Sequence, residues 1–286
     1  MQPPDPSGPN ADQIRFWNDE AGSKWVTHAD WLDAHIDPLG RLAMDRAEPS
    51  PGQRVLDIGC GCGQTTRQLA QRVSPGGHVT GLDISARMLA EAQRRARQAG
   101  LETIRFQAAD AQTHPLAAEF DRVFSRFGVM FFADPPAAFA NLRRALVPGG
   151  RLVFVCWQEL RANPWAFEPL LAGAKHVELP PPPAPGEPGP FALADPERIR
   201  AILDEAGYQD VEVEGVETEL SVGGGLSLDE ATEMMMQIGP TARVLQASAD
   251  ESARGPVRDS IREVLARHET ADGVRMGAAV WVVSAR

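Results

Sequence analysis

Between residues 54 and 157 the hydrophobic positions change period several times. The run Arg54 to Ile58 is short, largely apolar and cut off by glycines, the pattern of a buried parallel strand running into a tight turn. A helix is predicted from about Gln64. "HVTGLD" (78–83) reads as a second strand, after which Ser85 is placed to cap a helix through Ala99 whose Met88, Leu89 and Ala92 share one face. Gly100 ends it. "IRFQAAD" (104–110), "FDRVFSRF" (120–127) and "GRLVFVCW" (150–157) are the next three strands, with a helix predicted from about Pro136 to Leu146 between the last two. This alternation predicts an α/β fold: a doubly wound, mostly parallel sheet of seven strands with helices on both faces. Ligands are then expected beyond the carboxyl ends of the strands.

After Trp157 the alternation loosens. "LPPPPAPGEPGP" (179–190) reads as a stiff connector. Asp195 is then placed to cap a helix through Ala206, "VEVEGVETEL" (211–220) alternates like a strand, and "AAVWVVSAR" (278–286) reads as another. The stretch Ser227 to His268 between these two strands is mostly helical in pattern, and no internal repeat is visible.

Composition narrows the possible partners. A chain of 286 residues with 43% hydrophobic content buries a full core, and its net charge of −11 disfavours long-range attraction to nucleic acid or an anionic membrane surface. A small-molecule partner is expected. No apolar run approaches the ~18 residues needed to span a bilayer, and Met1 to Pro9 lacks the basic and apolar regions of a signal peptide, so a cytoplasmic protein is expected. Cys60, Cys62 and Cys156 form neither an even disulfide set nor a zinc pattern, and no metal is expected.

The three glycines Gly59, Gly61 and Gly63 carry the chemistry. A phosphate-binding P-loop needs a Gly-Lys-Ser/Thr ending that is absent here. The nicotinamide fingerprint needs a further glycine where Gln64 or Thr66 stands. What remains is Asp-x-Gly-x-Gly-x-Gly from Asp57 to Gly63, joined by acids at the ends of the second and third strands, Asp83 and Asp110. A ribose presents two adjacent hydroxyl donors, and an ionised carboxylate such as Asp83 accepts both in a fork. "LDIGCGCGQTT" resembles motif I of the class I S-adenosylmethionine-dependent methyltransferases. The resemblance implies that the turn, including Cys60, lets the backbone touch the methionine part of the cofactor. It further implies that Asp57 helps hold the amino-acid end, that Asp83 binds the ribose, that Asp110 and Ala111 bind the adenine edge, and that Ile84 and Met88 cover its face.

The resemblance runs from about Arg54 to Trp157 and is nearest to the ubiquinone/menaquinone-biosynthesis-like subgroup, also called methyltransferase type 11. "SRFGVMFFADPPAAFANLRRALVPGGRLVFVCW" (125–157) resembles that subgroup's fourth strand, following helix and "LxPGGRLV" turn, which implies that Ser125, Arg126 and Phe127 border the sulfonium, with Phe131 and Phe132 in the core. "FWNDEAGSKWVTHADWLD" (16–33) resembles the subgroup's leading helix, which folds over the cofactor. Trp17 and Trp25 are its candidates for cation–π contact with the sulfonium, an attraction of roughly 0.5 to 2 kcal/mol. On this reading residues 1–50 form a helical lid and 51–158 the S-adenosylmethionine-binding core. Residues 159–286 complete the same sheet, with insertions 159–194 and 227–268 capping the substrate.

The activity implied is transfer of a methyl group from S-adenosylmethionine to an oxygen, nitrogen or carbon nucleophile of a small apolar or aromatic molecule, leaving S-adenosylhomocysteine. In-line displacement from a sulfonium rests on placing nucleophile and methyl carbon about 3 Å apart and collinear, so no dedicated side chain is required. A proton acceptor still helps, and His28, His35, His114, His176 and His268 are the candidates; chain position favours His28 and His176, and no single base is assigned. No Gly-x-Ser-x-Gly elbow supports a serine hydrolase. The alternatives are a non-catalytic binding module on the same fold, or bound cofactor used for other chemistry.

Overall fold

The computed structural model describes residues 2–179, 181–184, 186–247 and 251–286. Met1, Pro180 and Pro185 of the proline-rich connector, and residues 248–250 of the second insertion lie outside the described residues. The chain opens with three helices, α1 (Ala11–Asn18), α2 (Glu20–Thr27) and α3 (Ala29–Ala47). The single leading helix expected from sequence is thus broken twice. Asp19 (φ −101°, ψ −140°) and His28 (φ −107°, ψ 19°) leave helical geometry and turn the chain back on itself.

Then follow β1 (Arg54–Ile58), α4 (Gln64–Val73), β2 (His78–Asp83), α5 (Ala86–Gln98), β3 (Ile104–Ala108), β4 (Phe120–Arg126), α6 (Pro135–Ala145) and β5 (Leu146–Trp157). The caps read from sequence are formed: Ser85 Oγ accepts from Met88 N at 3.4 Å and Asp195 Oδ1 from Glu197 N at 3.0 Å, each satisfying a helix-end donor that would otherwise lack a partner. The remainder comprises α7 (Pro164–Gly173), α8 (Pro196–Glu205), β6 (Glu212–Ser221), α9 (Leu228–Gln237), α10 (Gly239–Ala247), α11 (Arg254–Ala266), β7 (Glu269–Thr270) and β8 (Gly273–Ala285).

The sheet runs β3-β2-β1-β4-β5-β8-β6, with the two-residue β7 paired only to β8 off this path. The first five strands are parallel, and β8 is antiparallel to both neighbours, pairing Trp157 with Val280 and Ser221 with Arg275. β6 therefore points the same way as β5, and Ser221 lies on the carboxyl edge. The strand order reverses at β1 and β4, which makes the crevice between their carboxyl ends the natural ligand position in such a sheet.

Helices on both faces explain why β1 and β5 read as near-continuous apolar runs: Val55 to Ile58 and Leu152 to Trp157 are all buried. Phe124, Phe139 and Phe154 are among the largest wholly buried side chains, each worth about 1.5–3 kcal/mol of burial. α9 starts with a capping box between Ser227 and Glu230 and turns Leu228, Met234, Met235 and Met236 inward. Together α7, α9, α10 and α11 pack into one helical cap over the β5 and β8 side of the carboxyl edge. Among the described residues no helix is long and apolar enough to cross a membrane, and no group of three His, Cys, Asp or Glu is placed to hold a metal.

Candidate functional site

The turn from Ile58 to Gln64 closes the end of β1 against β2: Gly59 N and Cys60 N both donate to Leu82 O, and Gly63 N donates to Cys60 O. All three glycines have positive φ, and their surroundings separate their roles. A Cβ at Gly59 would stand 2.7 Å from Gly128 Cα, and one at Gly63 would stand 2.8 Å from Ala92 Cβ, so these two positions are glycine because the protein packs on itself. A Cβ at Gly61 would meet only the flexible Met88 Cε, at 3.0 Å. Gly61 is the member of the turn with open space beside it. The Cys60 side chain points back into the sheet, where a Cβ on Gly81 would lie 2.9 Å from its sulfur.

Two acids flank Gly61. Asp83 is buried, and its carboxylate accepts from Gly61 N and Ser85 N, both at 2.8 Å, one bond per oxygen. Burial pushes its pKa up, and the backbone donors oppose that. Each oxygen keeps a further acceptor site. Asp57 is wholly buried, and its Oδ2 accepts from the hydroxyls of Thr65 at 2.7 Å and Thr66 at 2.6 Å, while Oδ1 has no partner. Burial raises this carboxyl to about 6, with the two threonines and Arg126 pulling the other way. The paired threonines after the glycines are a signal the sequence reading passed over.

α1 and α2 sit directly on this crevice. Trp17 and Trp25 meet edge-to-face at 5.6 Å and, with Val26, pack on a small cluster of Ala29, Cys62 and Met88. Trp17 also meets Phe131 at 5.2 Å; Phe131 is partly buried and packs against the core, and Phe132 is buried within it. Asn18 pins the lid to the second strand's end: its Nδ2 donates to Ile84 O at 2.8 Å and its Oδ1 accepts from Ala86 N at 3.0 Å. Asn10 does the same at the third strand, donating to Asp110 Oδ1 at 3.3 Å and accepting from Ala133 N at 3.1 Å. Asn18 Nδ2 also donates to Ile14 O at 2.8 Å within its own helix, but the bonds that tie both asparagines to the strand ends span more than 60 residues and leave no local sequence signal. The Ala111 carbonyl accepts from Asn141 at 2.8 Å.

The residues at the end of β4 and just after it divide their tasks. Ser125 is spent on the scaffold: its hydroxyl donates to Ile58 O at 2.9 Å and accepts from Gly128 N at 3.2 Å. Arg126 turns towards α3, pairing with Asp33 at 3.2 Å and donating to Gln64. Phe127 is buried at a φ of +61°, a left-handed conformation that a bulky side chain adopts only under compensation from its surroundings. Its ring stacks on Trp157 at 4.3 Å; Trp157 meets Trp165 at 5.0 Å, and Trp165 meets His35 at 4.8 Å. This aromatic row follows the carboxyl edge from β4 to the underside of the cap.

The other histidines are dispersed. His28 stacks on Trp31 at 4.6 Å, His114 bonds Gln107, His176 bonds Ser260 and His268 pairs with Glu168.

A methyltransferase-domain family model matches residues 55–150. Aklanonic acid methyltransferase of Streptomyces sp. (strain C5) is 38% identical over 149 residues, which cover 50% of this chain and 67% of that protein. The chain belongs to the class I S-adenosylmethionine-dependent methyltransferases. Nocamycin O-methyltransferase of Saccharothrix syringae is 36% identical over 141 residues, covering 48% of this chain but only half of that protein. The fold agrees with phosphoethanolamine N-methyltransferase 2 of Haemonchus contortus in complex with S-adenosyl-L-methionine: TM-score 0.58 at 21% identity, covering 94% of this chain and 59% of that one.

The residues present in this methyltransferase fit the family's cofactor. Asp57 Oδ1 is a buried acceptor lacking a donor, which an ammonium group would supply. Gly61 leaves open the approach that a side chain would fill, and Asp83 retains acceptor capacity for a diol.

Proposed function

We propose that this methyltransferase transfers a methyl group from S-adenosylmethionine to a hydroxyl oxygen of a small aromatic or apolar molecule. The observation that carries the reading is the juxtaposition, at one carboxyl edge, of the Asp57–Gly63 turn with its one open-sided glycine and the aromatic row from Phe127 to Trp165. The cofactor, when bound, supplies a methyl group already activated on a sulfonium, so the protein's work is holding, aligning and keeping out water.

In this reading Asp57 and the Gly61 backbone hold the amino-acid end, Asp83 the ribose and Asp110 the adenine amino group, which takes the place of Asn10 on the carboxylate. Trp17 and Trp25 close over the charged sulfur, and Met88 lies against the adenine. The helical cap of α7, α9, α10 and α11 offers Met234, Met235 and Met236, adaptable side chains suited to an irregular apolar acceptor. The hydroxyl preference draws support from the named O-methyltransferase relative. Cofactor carrying a labelled methyl group, incubated with hydroxyarenes, quinols, aliphatic alcohols, amines and carboxylic acids, tests it. Label should leave the cofactor for a hydroxyarene or quinol. Label appearing only on amines, or never leaving the cofactor, would overturn the reading.

A further inference from the structure

Among the described residues, His35 is the one histidine that is buried and the one with a buried ring nitrogen lacking a partner. It is wholly buried, one ring nitrogen has a fixed hydrogen-bond partner, and the other has none. Nδ1 lies 3.2 Å from Ser221 O, a carbonyl that only accepts, so Nδ1 carries the ring proton and Nε2 presents a lone pair. A buried acceptor without a donor costs about 1–3 kcal/mol, a cost that a catalytic role can account for. The ring protonates only as pH falls towards about 4, because burial disfavours its cation. Neither group facing it from the packed elements, Ser221 at the end of β6 or Trp165 of α7, carries a charge.

Its location supplies the rest of the argument. α3 runs beneath the lid, Ser221 marks the carboxyl edge, and the ring closes the aromatic row Phe127, Trp157, Trp165 at the end away from the glycine turn. An acceptor ring lying along that row would bring its hydroxyl towards Nε2.

We propose that His35 Nε2 is the catalytic proton acceptor for the acceptor hydroxyl, with Ser221 O as the group that fixes its tautomer. The assignment rests on the hydroxyl-methylation reading above. In the step, the hydroxyl oxygen forms its bond to the methyl carbon while that carbon's bond to sulfur breaks and the electron pair passes to sulfur. The hydroxyl proton goes to Nε2, and the resulting imidazolium, unfavourable in this burial, returns the proton to water when the lid opens. Trp157 and Trp165 orient the acceptor, and His35 takes up the proton that its oxygen releases.

Two measurements on the whole 286-residue chain with S-adenosylhomocysteine bound decide it. Long-range proton–nitrogen spectra of 15N-histidine-labelled protein, with His35 assigned by its loss in His35→Asn, report tautomer and contact. The probe is the acceptor found by methyl labelling, or 1-naphthol if none is found, with naphthalene as the hydroxyl-free control and tryptophan fluorescence reporting occupancy. Nε2 should be unprotonated in the absence of probe and shift with the hydroxyl compound but not with naphthalene. A protonated Nε2, a bound probe that leaves it unmoved, or a pocket that takes neither compound would each overturn the proposal. In kinetics, His35→Asn keeps an amide N–H for Ser221 but no base, and should lower kcat by about 10²–10⁴-fold with KM and homocysteine-product affinity little changed. His35→Gln serves if the asparagine variant fails to fold. A variant within about tenfold of wild-type kcat removes the base and leaves the methylation reading standing. Spectral contact without any methyl transfer sinks the methylation reading while retaining the ring's place in the pocket.

Discussion

Replacing Gly59 and Gly61 separately by alanine should divide folding from cofactor binding within a single turn. At Gly61 the methyl group meets only Met88 Cε at 3.0 Å, a side-chain end free to swing, so the cost to the fold is that of alanine in a left-handed conformation, about 1–2 kcal/mol. At Gly59 the same backbone cost applies, and the methyl additionally stands 2.7 Å from Gly128 Cα, roughly 1 Å inside normal carbon contact. Overpacking of that kind adds about 1–3 kcal/mol, giving a total of about 2–5. At about 2–4 °C per kcal/mol, Gly59→Ala should lower Tm by roughly 4–20 °C and Gly61→Ala by roughly 2–8 °C. Calorimetry should then show the reverse ranking relative to the fold: the Gly61 variant folds yet loses S-adenosylhomocysteine, because its methyl occupies the approach the ligand needs. If Gly61→Ala binds with wild-type affinity, or Gly59→Ala is as stable as wild type, the division of the turn is wrong.

Asp83→Ala should weaken S-adenosylhomocysteine by about 1.5–3 kcal/mol and also lower Tm, because Gly61 and Ser85 lose their acceptor. Asp83→Asn, which keeps one acceptor oxygen, should recover part of the Tm but not the affinity; full affinity in both variants would exclude a ribose contact. Asp57 holds its proton more tightly folded than unfolded, so between pH 3.8 and about 6 the ligand-free fold carries more protons, and Tm should fall as pH rises through that window. Asp57→Asn should flatten this slope; equal slopes in Tm against pH would show that Asp57 is not its source. Trp17→Ala should weaken S-adenosylhomocysteine and speed hydrogen exchange across α1 and α2, and unchanged exchange with ligand present would detach these helices from the crevice.

Much of the core was legible because its signals are local. A buried parallel strand needs an unbroken apolar run, a tight turn needs glycine, and a helix start needs an oxygen, so β1, β2 and α5 were readable to within a residue or two from Arg54 to Gln98. The glycines themselves were legible only as a group; that Gly59 and Gly63 answer to Gly128 and Ala92 depends on packing partners distant along the chain. The lid was read as one helix because its periodicity persists through Asp19 and His28, where no proline or glycine marks the break. His35 is harder still: in the sequence it is one of five candidate histidines, with chain position favouring His28 and His176, and only tertiary packing supplies both the Ser221 carbonyl and the solvent exclusion that set it apart.

The placement of β8 has a consequence for synthesis. It pairs with both β5 and β6, yet it leaves the ribosome after both. The five parallel strands and their glycine turn can assemble on the emerging chain while β5 and β6 each present an open, adhesive edge. A nascent chain thus gains its nucleoside crevice before the wall that carries Ser221 has anything to rest on. That exposure is greatest while residues 222–272 are being translated, and the arrival of β8 ends it for the facing edges of β5 and β6 in one step, leaving β3 and the outer side of β6 as the edges of the finished sheet.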